Sequence, residues 1–311
     1  MSVYRIPQRD ALERFLRDRG LPLPDRADAL TDGVSHSNLR LTIDGQHFVL
    51  TLYEGLAPEA VQDFLGLQSA LHSHGFPCPG IIPSSSGALH SDLDGGPAAL
   101  FAFVEDDGLS LPTAASVGDL LARLHRCGDE QGISIDRDNP RGAAWMARTA
   151  EALRPRLADE DRQLLDDELD FLARHRSLTL PSGIVHGDVF ADNLRVVGGS
   201  IRALIDFEFA GREVLLFDVA VAINAFCSLE DGRLDRLAMR DLIAAYAERR
   251  PLTQQEHLAL PMMLRATALR FWLSRLEEAL NPAEGQQVLR KPAEAFRRIL
   301  LARRAPLSGM Q

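Results

Sequence analysis

The chain is expected to be an α+β protein of two lobes, a small, mostly antiparallel sheet lobe followed by a larger helical lobe that carries one β-hairpin. Three observations predict this. Alternating apolar segments dominate the first hundred residues, helical periodicity dominates the remainder of the chain, and a polar, glycine-containing break separates the two. Asn38–Ile43 and His47–Tyr53 both alternate around Asp44-Gly45, a strong hairpin signal. A helix should follow from Pro58, with Val61, Phe64, Leu65 and Leu71 on its apolar face and a stop at Gly75. Further strand-like segments end at Ala98–Val104. Glu105-Asp106-Asp107-Gly108 is the break, so the lobes are read as residues 1–104 and 109–311 with a hinge at 105–108. In the second lobe Thr113 caps a helix bearing Val117, Leu120, Leu121 and Leu124, and Asp159–His175 repeats the pattern. Helices are also expected over Leu215–Cys227, Arg236–Arg249, Thr253–Leu280 and from about Pro292.

The chain has 311 residues and 46% hydrophobic content, enough for a substantial core. Lys and Arg total 34 against 44 Asp and Glu, a net charge of −10, which makes a long nucleic-acid surface or an anionic membrane a poor default partner. A small molecule is the expected ligand. No segment has the apolar length of a signal peptide or a membrane span, and the most apolar stretch, Val214–Cys227, is interrupted by Asp218 and Asn224. Cys78, Cys127 and Cys227 are widely spaced and lack metal-ligand spacing, so a cytoplasmic protein without disulfides is expected. Lys291 is the only lysine.

The chemistry concentrates in His186-Gly187-Asp188, Asn193 and Asp206-Phe207. Phosphoryl transfer to a hydroxyl needs a carboxylate to take the hydroxyl proton and oxygen ligands for a Mg²⁺ on the nucleotide phosphates. Asp188 suits the first task. Asn193, at Asp-x4-Asn spacing, and Asp206 suit the second. Gly183–Val185 reads as a short strand before the loop, and Leu194–Val197 and Ile201–Ile205 as strands joined by a turn at Gly198-Gly199-Ser200, which would bring all four polar residues to one edge. A sheet lobe, a hinge and a helical lobe with this hairpin form the protein-kinase-like arrangement.

Val185–Asn193 with Leu204–Phe207 resembles the aminoglycoside-phosphotransferase and choline-kinase superfamily. The flanks Phe48–Glu54, Phe217–Ala220 and Leu269–Leu276 resemble its homoserine-kinase branch. The resemblance implies an ATP- and Mg²⁺-dependent kinase in which Asp188 is the base, Asn193 and Asp206 hold Mg²⁺, His186 braces the loop, and Asp218 ties loop amides to a helix. Candidate nucleotide-binding residues are Val49, Thr51, Ser37, Asn38, Phe103 and Glu105. Thr51 stands where kinases usually place a phosphate-binding lysine, so neutralisation would fall to Mg²⁺, to backbone amides of the Gly33–Asn38 loop, and to Arg40 if it is not simply a solvated strand arginine. Two further departures are Ser35-His36-Ser37-Asn38 in place of Glu-Asn-Ser-Asn, and Glu208 in place of an aromatic residue. An amino-acid acceptor needs a cation for its carboxylate and an acid for its ammonium, for which Arg270, Arg275 and Glu208 are the candidates. Trp145 and Trp272 read as core. The resemblance implies L-homoserine as acceptor. Choline or an aminoglycoside is the alternative within the same chemistry, and a nucleotide-binding pseudokinase the alternative outside it.

Overall fold

In a computed structural model the chain is described over residues 5–30, 36–175, 179–281 and 292–305. Residues 33–35 of the expected phosphate loop, and Lys291, lie outside them. The chain divides into two compact units, with a break between Ser110 and Leu111, and Asp192–Glu208 belongs to the first.

The first unit is built on a five-stranded antiparallel sheet. Helix α1 (Arg9–Arg17) precedes β1 (Arg26–Leu30), β2 (Ser37–Ile43) and β3 (Gln46–Leu52); α2 (Pro58–Ser73), β4 (Ser91–Asp92) and β5 (Pro97–Ala102) follow, and the strand order is β1-β2-β3-β5-β4. Asp44 and Gly45 join β2 to β3 with φ of 48° and 74°. Two successive positive values are what a tight hairpin compatible with strand twist demands, which explains the Asp-Gly pair. Alternation then buries Leu39, Leu41, Ile43, Phe48, Leu50 and Leu52 together with Leu12, Phe15 and Leu16 of α1. Full burial of each such side chain stabilises by about 1.5–3 kcal/mol, so this cluster contributes strongly to the unit's stability. The same register sets Asn38 opposite Thr51, and Arg40 opposite Val49.

The second unit contains α3 (Ala114–Gln131), α4 (Ala143–Leu153), α5 (Asp159–Arg174), β6 (Ser182–Val185), β9 (Gly211–Val214), α6 (Leu216–Phe226), α7 (Arg236–Arg249), α8 (Gln254–Leu280) and α9 (Ala293–Arg303); the intervening β7 (Leu194–Val197) and β8 (Ser200–Leu204) form a hairpin in the first unit. Gly118 lets α3 lie directly on α7, since a Cβ there would stand 2.1 Å from the Leu242 carbonyl oxygen. Trp272 and Trp145 are buried in the core. Helix α8 begins with a reciprocal cap in which Thr253 and Glu256 bond each other's backbone N–H. Glu168 of α5, fully buried, accepts Arg265 Nε and Nη2 at 2.8 and 2.7 Å.

One expectation is corrected. Strand β6 pairs with β9, and β7 pairs with β8. His186 and Asp188 are therefore delivered by one two-stranded sheet, and Asn193 and Asp206 by another, rather than all four by a single hairpin edge.

Candidate active site

His186-Gly187-Asp188 leaves the end of β6 in the second unit. The His186 and Gly187 N–H groups donate to the two carboxylate oxygens of Asp218, at 2.6 and 2.8 Å. Asp218 sits in the first turn of α6 and is completely buried. A chain of polar groups lies behind it: His125 Nε2 is 3.4 Å from Asp218, His125 Nδ1 is 2.7 Å from the Tyr246 hydroxyl, and Arg250 bonds both Tyr246 and Glu256. With Arg250 donating to the Tyr246 oxygen, the arrangement that gives every donor an acceptor has the tyrosine proton toward Nδ1 and Nε2–H toward Asp218. Burial holds the Tyr246 hydroxyl well above its usual pKa, which keeps that proton in place. Gly187 adopts φ 81°, and a Cβ there would come within 2.8 Å of the Phe209 carbonyl oxygen, so both conformation and contact require glycine. His186, fully buried, accepts the Asp188 N–H at Nδ1 across 3.3 Å. It braces the loop. Asp188 keeps 21% of its side chain exposed, and its carboxylate is 3.6 Å from Arg270 Nη1.

The first unit holds the remaining motif residues. Asn193 immediately precedes β7, and its carbonyl accepts the Ile205 N–H at 2.9 Å. Leu194 pairs with Leu204, which leaves Asn193 and Asp206 at the same open end of the hairpin. Asp206 has φ 64°, a left-handed conformation that a non-glycine residue adopts at a cost. The hairpin is tethered by the Leu204 N–H to the Pro77 carbonyl and by the Asp107 N–H to the Val196 carbonyl. Asp107 in turn accepts the N–H groups of Gly198, Ser110 and Leu109, which hold its carboxyl well below the ordinary range.

Among the nucleotide-binding candidates, Thr51 Oγ1 donates to Asn38 Oδ1 at 2.7 Å, and Ser37 Oγ donates to Glu54 at 2.6 Å. Val49 and Phe103 are half-buried and Glu105 is exposed. Arg40 reaches Asp28 of β1 at 3.2 Å, the partner its strand position dictates. The two departures from the family pattern meet each other: His36 Nε2 is 3.1 Å from Glu208 Oε2, with both side chains largely buried. Burial alone would lower the His36 pKa, but the hydrogen bond and charge of Glu208, with Asp206 and Glu54 behind it, raise it on balance. A second proton would have to displace the Glu54 N–H that Nδ1 accepts at 3.2 Å, so the Nε2–H toward Glu208 is the arrangement this contact favours.

For the acceptor candidates, the structure puts Arg270 beside Asp188 at 2% exposure, its guanidinium 3.8 Å from the Phe271 ring centroid and 5.4 Å from that of Phe209. Among the described residues its Nε and Nη2 have no hydrogen-bond partner. Burial lowers its pKa to about 10, although Asp188 pulls upward. Arg275 lies one turn on, half-buried, near the Phe296 ring. Glu208, in the first unit, is engaged by His36. Arg141 carries no sequence signal, yet its guanidinium also lies over Phe209, at 5.2 Å, and over Trp145, at 4.5 Å.

Residues 26–252 match the phosphotransferase enzyme family, and the chain belongs to that family of small-molecule kinases. A homoserine kinase of Methylobacillus flagellatus is 35% identical, covering 96% of this chain and 94% of that protein. One of Neisseria meningitidis is 33% identical, covering 97% and 99%. Among solved structures, an amicoumacin kinase in complex with AMP-PNP aligns with a TM-score of 0.67 at 14% identity over 90% of this chain and 87% of that one. A microcompartment-associated aminopropanol kinase aligns at 0.67 and 17% identity over 96% and 94%. At such identities the likeness is one of fold, the protein-kinase-like fold that the sequence led us to expect.

Proposed function

We propose that this kinase transfers the γ-phosphoryl group of ATP to the side-chain hydroxyl of L-homoserine, giving O-phospho-L-homoserine and ADP. The observation that carries the chemistry is the Asp188 loop, its backbone pinned by a buried carboxylate while the Asp188 side chain stays partly open. The acceptor rests on the homoserine kinases that match over nearly their whole length at 33% and 35% identity. In the transfer, the acceptor oxygen bonds to the γ-phosphorus as the bond from that phosphorus to the bridging oxygen of ADP breaks. The hydroxyl proton passes to Asp188.

Asn193 and Asp206 are the residues that would hold Mg²⁺. Both offer hard oxygen donors at one end of the hairpin. This suits a cation held by one or two protein oxygens and completed by phosphates and water, whose contribution is to neutralise phosphate charge. Val49, Thr51, Ser37, Asn38, Phe103 and Glu105 remain the residues we assign to the nucleotide. Among the described residues no helix is long and apolar enough to cross a membrane, and with ATP as donor we assign the protein to the cytoplasm. The test is an ATP-consumption screen over amino acids, amino alcohols and aminoglycosides, with the product identified by ³¹P NMR. Phosphorylation of L-homoserine in preference to the others is the expected result. ATP turnover on choline or an aminoglycoside alone would overturn the acceptor assignment, and no turnover at all would overturn the chemistry.

A further inference from the structure

We infer that Arg141 and Glu277 recognise the head group of the acceptor, Arg141 taking its α-carboxylate and Glu277 its ammonium; this rests on the acceptor being a small α-amino acid. Arg270 and Arg275 were the arginines the sequence offered for this task. Arg270 is 2% exposed, so little of its surface is open to a bound molecule in this conformation. It can still set the charge of the site. Among the described residues two of its nitrogens are buried without a partner; Asp188 lies 3.6 Å away and Glu278 adds a weaker negative charge, while Arg141 and Arg275 add like charge that depresses it further. Such an excess of positive charge is relieved by an anion brought alongside.

Arg141 is the guanidinium placed to meet that anion. Its side chain is 26% exposed and that of its partner Glu277 is 36%, with Nη1 and Oε2 3.0 Å apart. Trp145 and Phe209 offer it two aromatic faces, which fixes the planar group at little further entropic cost. Its backbone is fixed as well. The Arg141 N–H donates to Asn139 Oδ1 at 2.8 Å, and Asn139 packs so closely on β9 that a Cβ at Gly211 would lie 2.7 Å from its nitrogen. Phe209 is the link between this arm and the catalytic loop. Its ring lies about equally far from Arg141 and Arg270, and its carbonyl oxygen closes on Gly187. A short molecule whose hydroxyl sits at Asp188 therefore has a partly exposed, pre-oriented guanidinium and a partly exposed carboxylate within the same unit. An amino-acid head group meets both by partner exchange, its carboxylate accepting from Arg141 and its ammonium donating to Glu277, so that no charge is left unpaired.

The experiment measures kcat/KM for L-homoserine, 3-amino-1-propanol, which lacks the carboxylate, and 4-hydroxybutanoate, which lacks the ammonium. Arg141→Ala is expected to lower the values for L-homoserine and 4-hydroxybutanoate by roughly 10- to 100-fold, mainly through KM, while sparing 3-amino-1-propanol. Glu277→Gln is expected to lower L-homoserine and 3-amino-1-propanol and to spare 4-hydroxybutanoate. Because acceptors are compared on one preparation, any partly unfolded fraction cancels in the ratio. Equal losses on all three acceptors, or an unchanged KM for L-homoserine in Arg141→Ala, would overturn the assignment while the kinase remained a homoserine kinase. A wild-type enzyme that leaves L-homoserine untouched would overturn the acceptor reading and this one together.

Discussion

Asp218→Asn separates loop positioning from proton transfer, because Asp218 lies behind the loop while Asp188 does the chemistry. The carboxylate accepts two backbone N–H groups at 2.6 and 2.8 Å and stands 3.4 Å from His125 Nε2, with no solvent access. An asparagine has the same shape, but only one of its two terminal atoms accepts. One buried N–H of the loop is then left facing an NH₂ group. A buried donor without an acceptor costs about 1–3 kcal/mol, and the surviving bonds lose their charge assistance, so the total should be about 2–4 kcal/mol. Against a typical stability of about 5–15 kcal/mol the variant should fold, with its Tm lowered by several degrees. Activity should fall further than stability implies, since displacing a catalytic group by about 1 Å costs on the order of 100-fold. The assay pairs thermal unfolding by circular dichroism with steady-state kinetics well below the lowered Tm. A variant with wild-type Tm and wild-type kcat would refute the claim that these two hydrogen bonds hold the loop.

Other perturbations have equally specific outcomes. Asp188→Asn should lower kcat by about 10²- to 10⁴-fold while MgATP binding, followed by calorimetry, stays near wild type. Asp206→Ala should lose MgATP binding along with turnover, and unchanged calorimetric affinity would show that Asp206 is not a metal ligand. Thr51→Lys must displace a hydroxyl already bonded to Asn38, so kcat/KM should fall or stay level; a large rise would mean the site had merely lost its lysine. Glu168→Gln removes the charge that Arg265 clasps at 2.7 and 2.8 Å inside the helical unit, and should cost about 3 kcal/mol in urea unfolding, as breaking a buried pair does.

What could be read from the sequence was local. Asp44-Gly45 announced its hairpin because its positive φ values are a property of those two residues. Pro58, Thr113 and Thr253 announced helix starts for the same reason, as each acts on its own first turn. The pairing of β6 with β9 was not legible, since a run of four residues such as Ser182–Val185 says nothing about which distant strand completes it. Nor did His36 and Glu208 disclose that they are partners, 172 positions apart. Each looked like an isolated departure until the fold joined them. Arg141 escaped notice because an arginine in a Pro-Arg-Gly turn of an arginine-rich chain differs from its many equivalents only in the aromatic faces it meets. Arg270 was legible as a candidate, yet its burial was not, because an arginine at 2% exposure depends on this stretch of α8 being enclosed on nearly every side.

Glu256 belongs at once to the cap of α8 and to the file of groups running through Arg250, Tyr246 and His125 to Asp218. The first turn of a helix is ordinarily where heat does its earliest damage, and it is ordinarily harmless. Here fraying would be transmitted. When that turn opens, Arg250 loses its anion, the tyrosine and histidine lose their enforced orientations, and the aspartate that positions the loop loses its backing. Catalytic competence should therefore decline on warming before the helical unit melts, with the frayed end of one helix acting as the enzyme's thermal fuse.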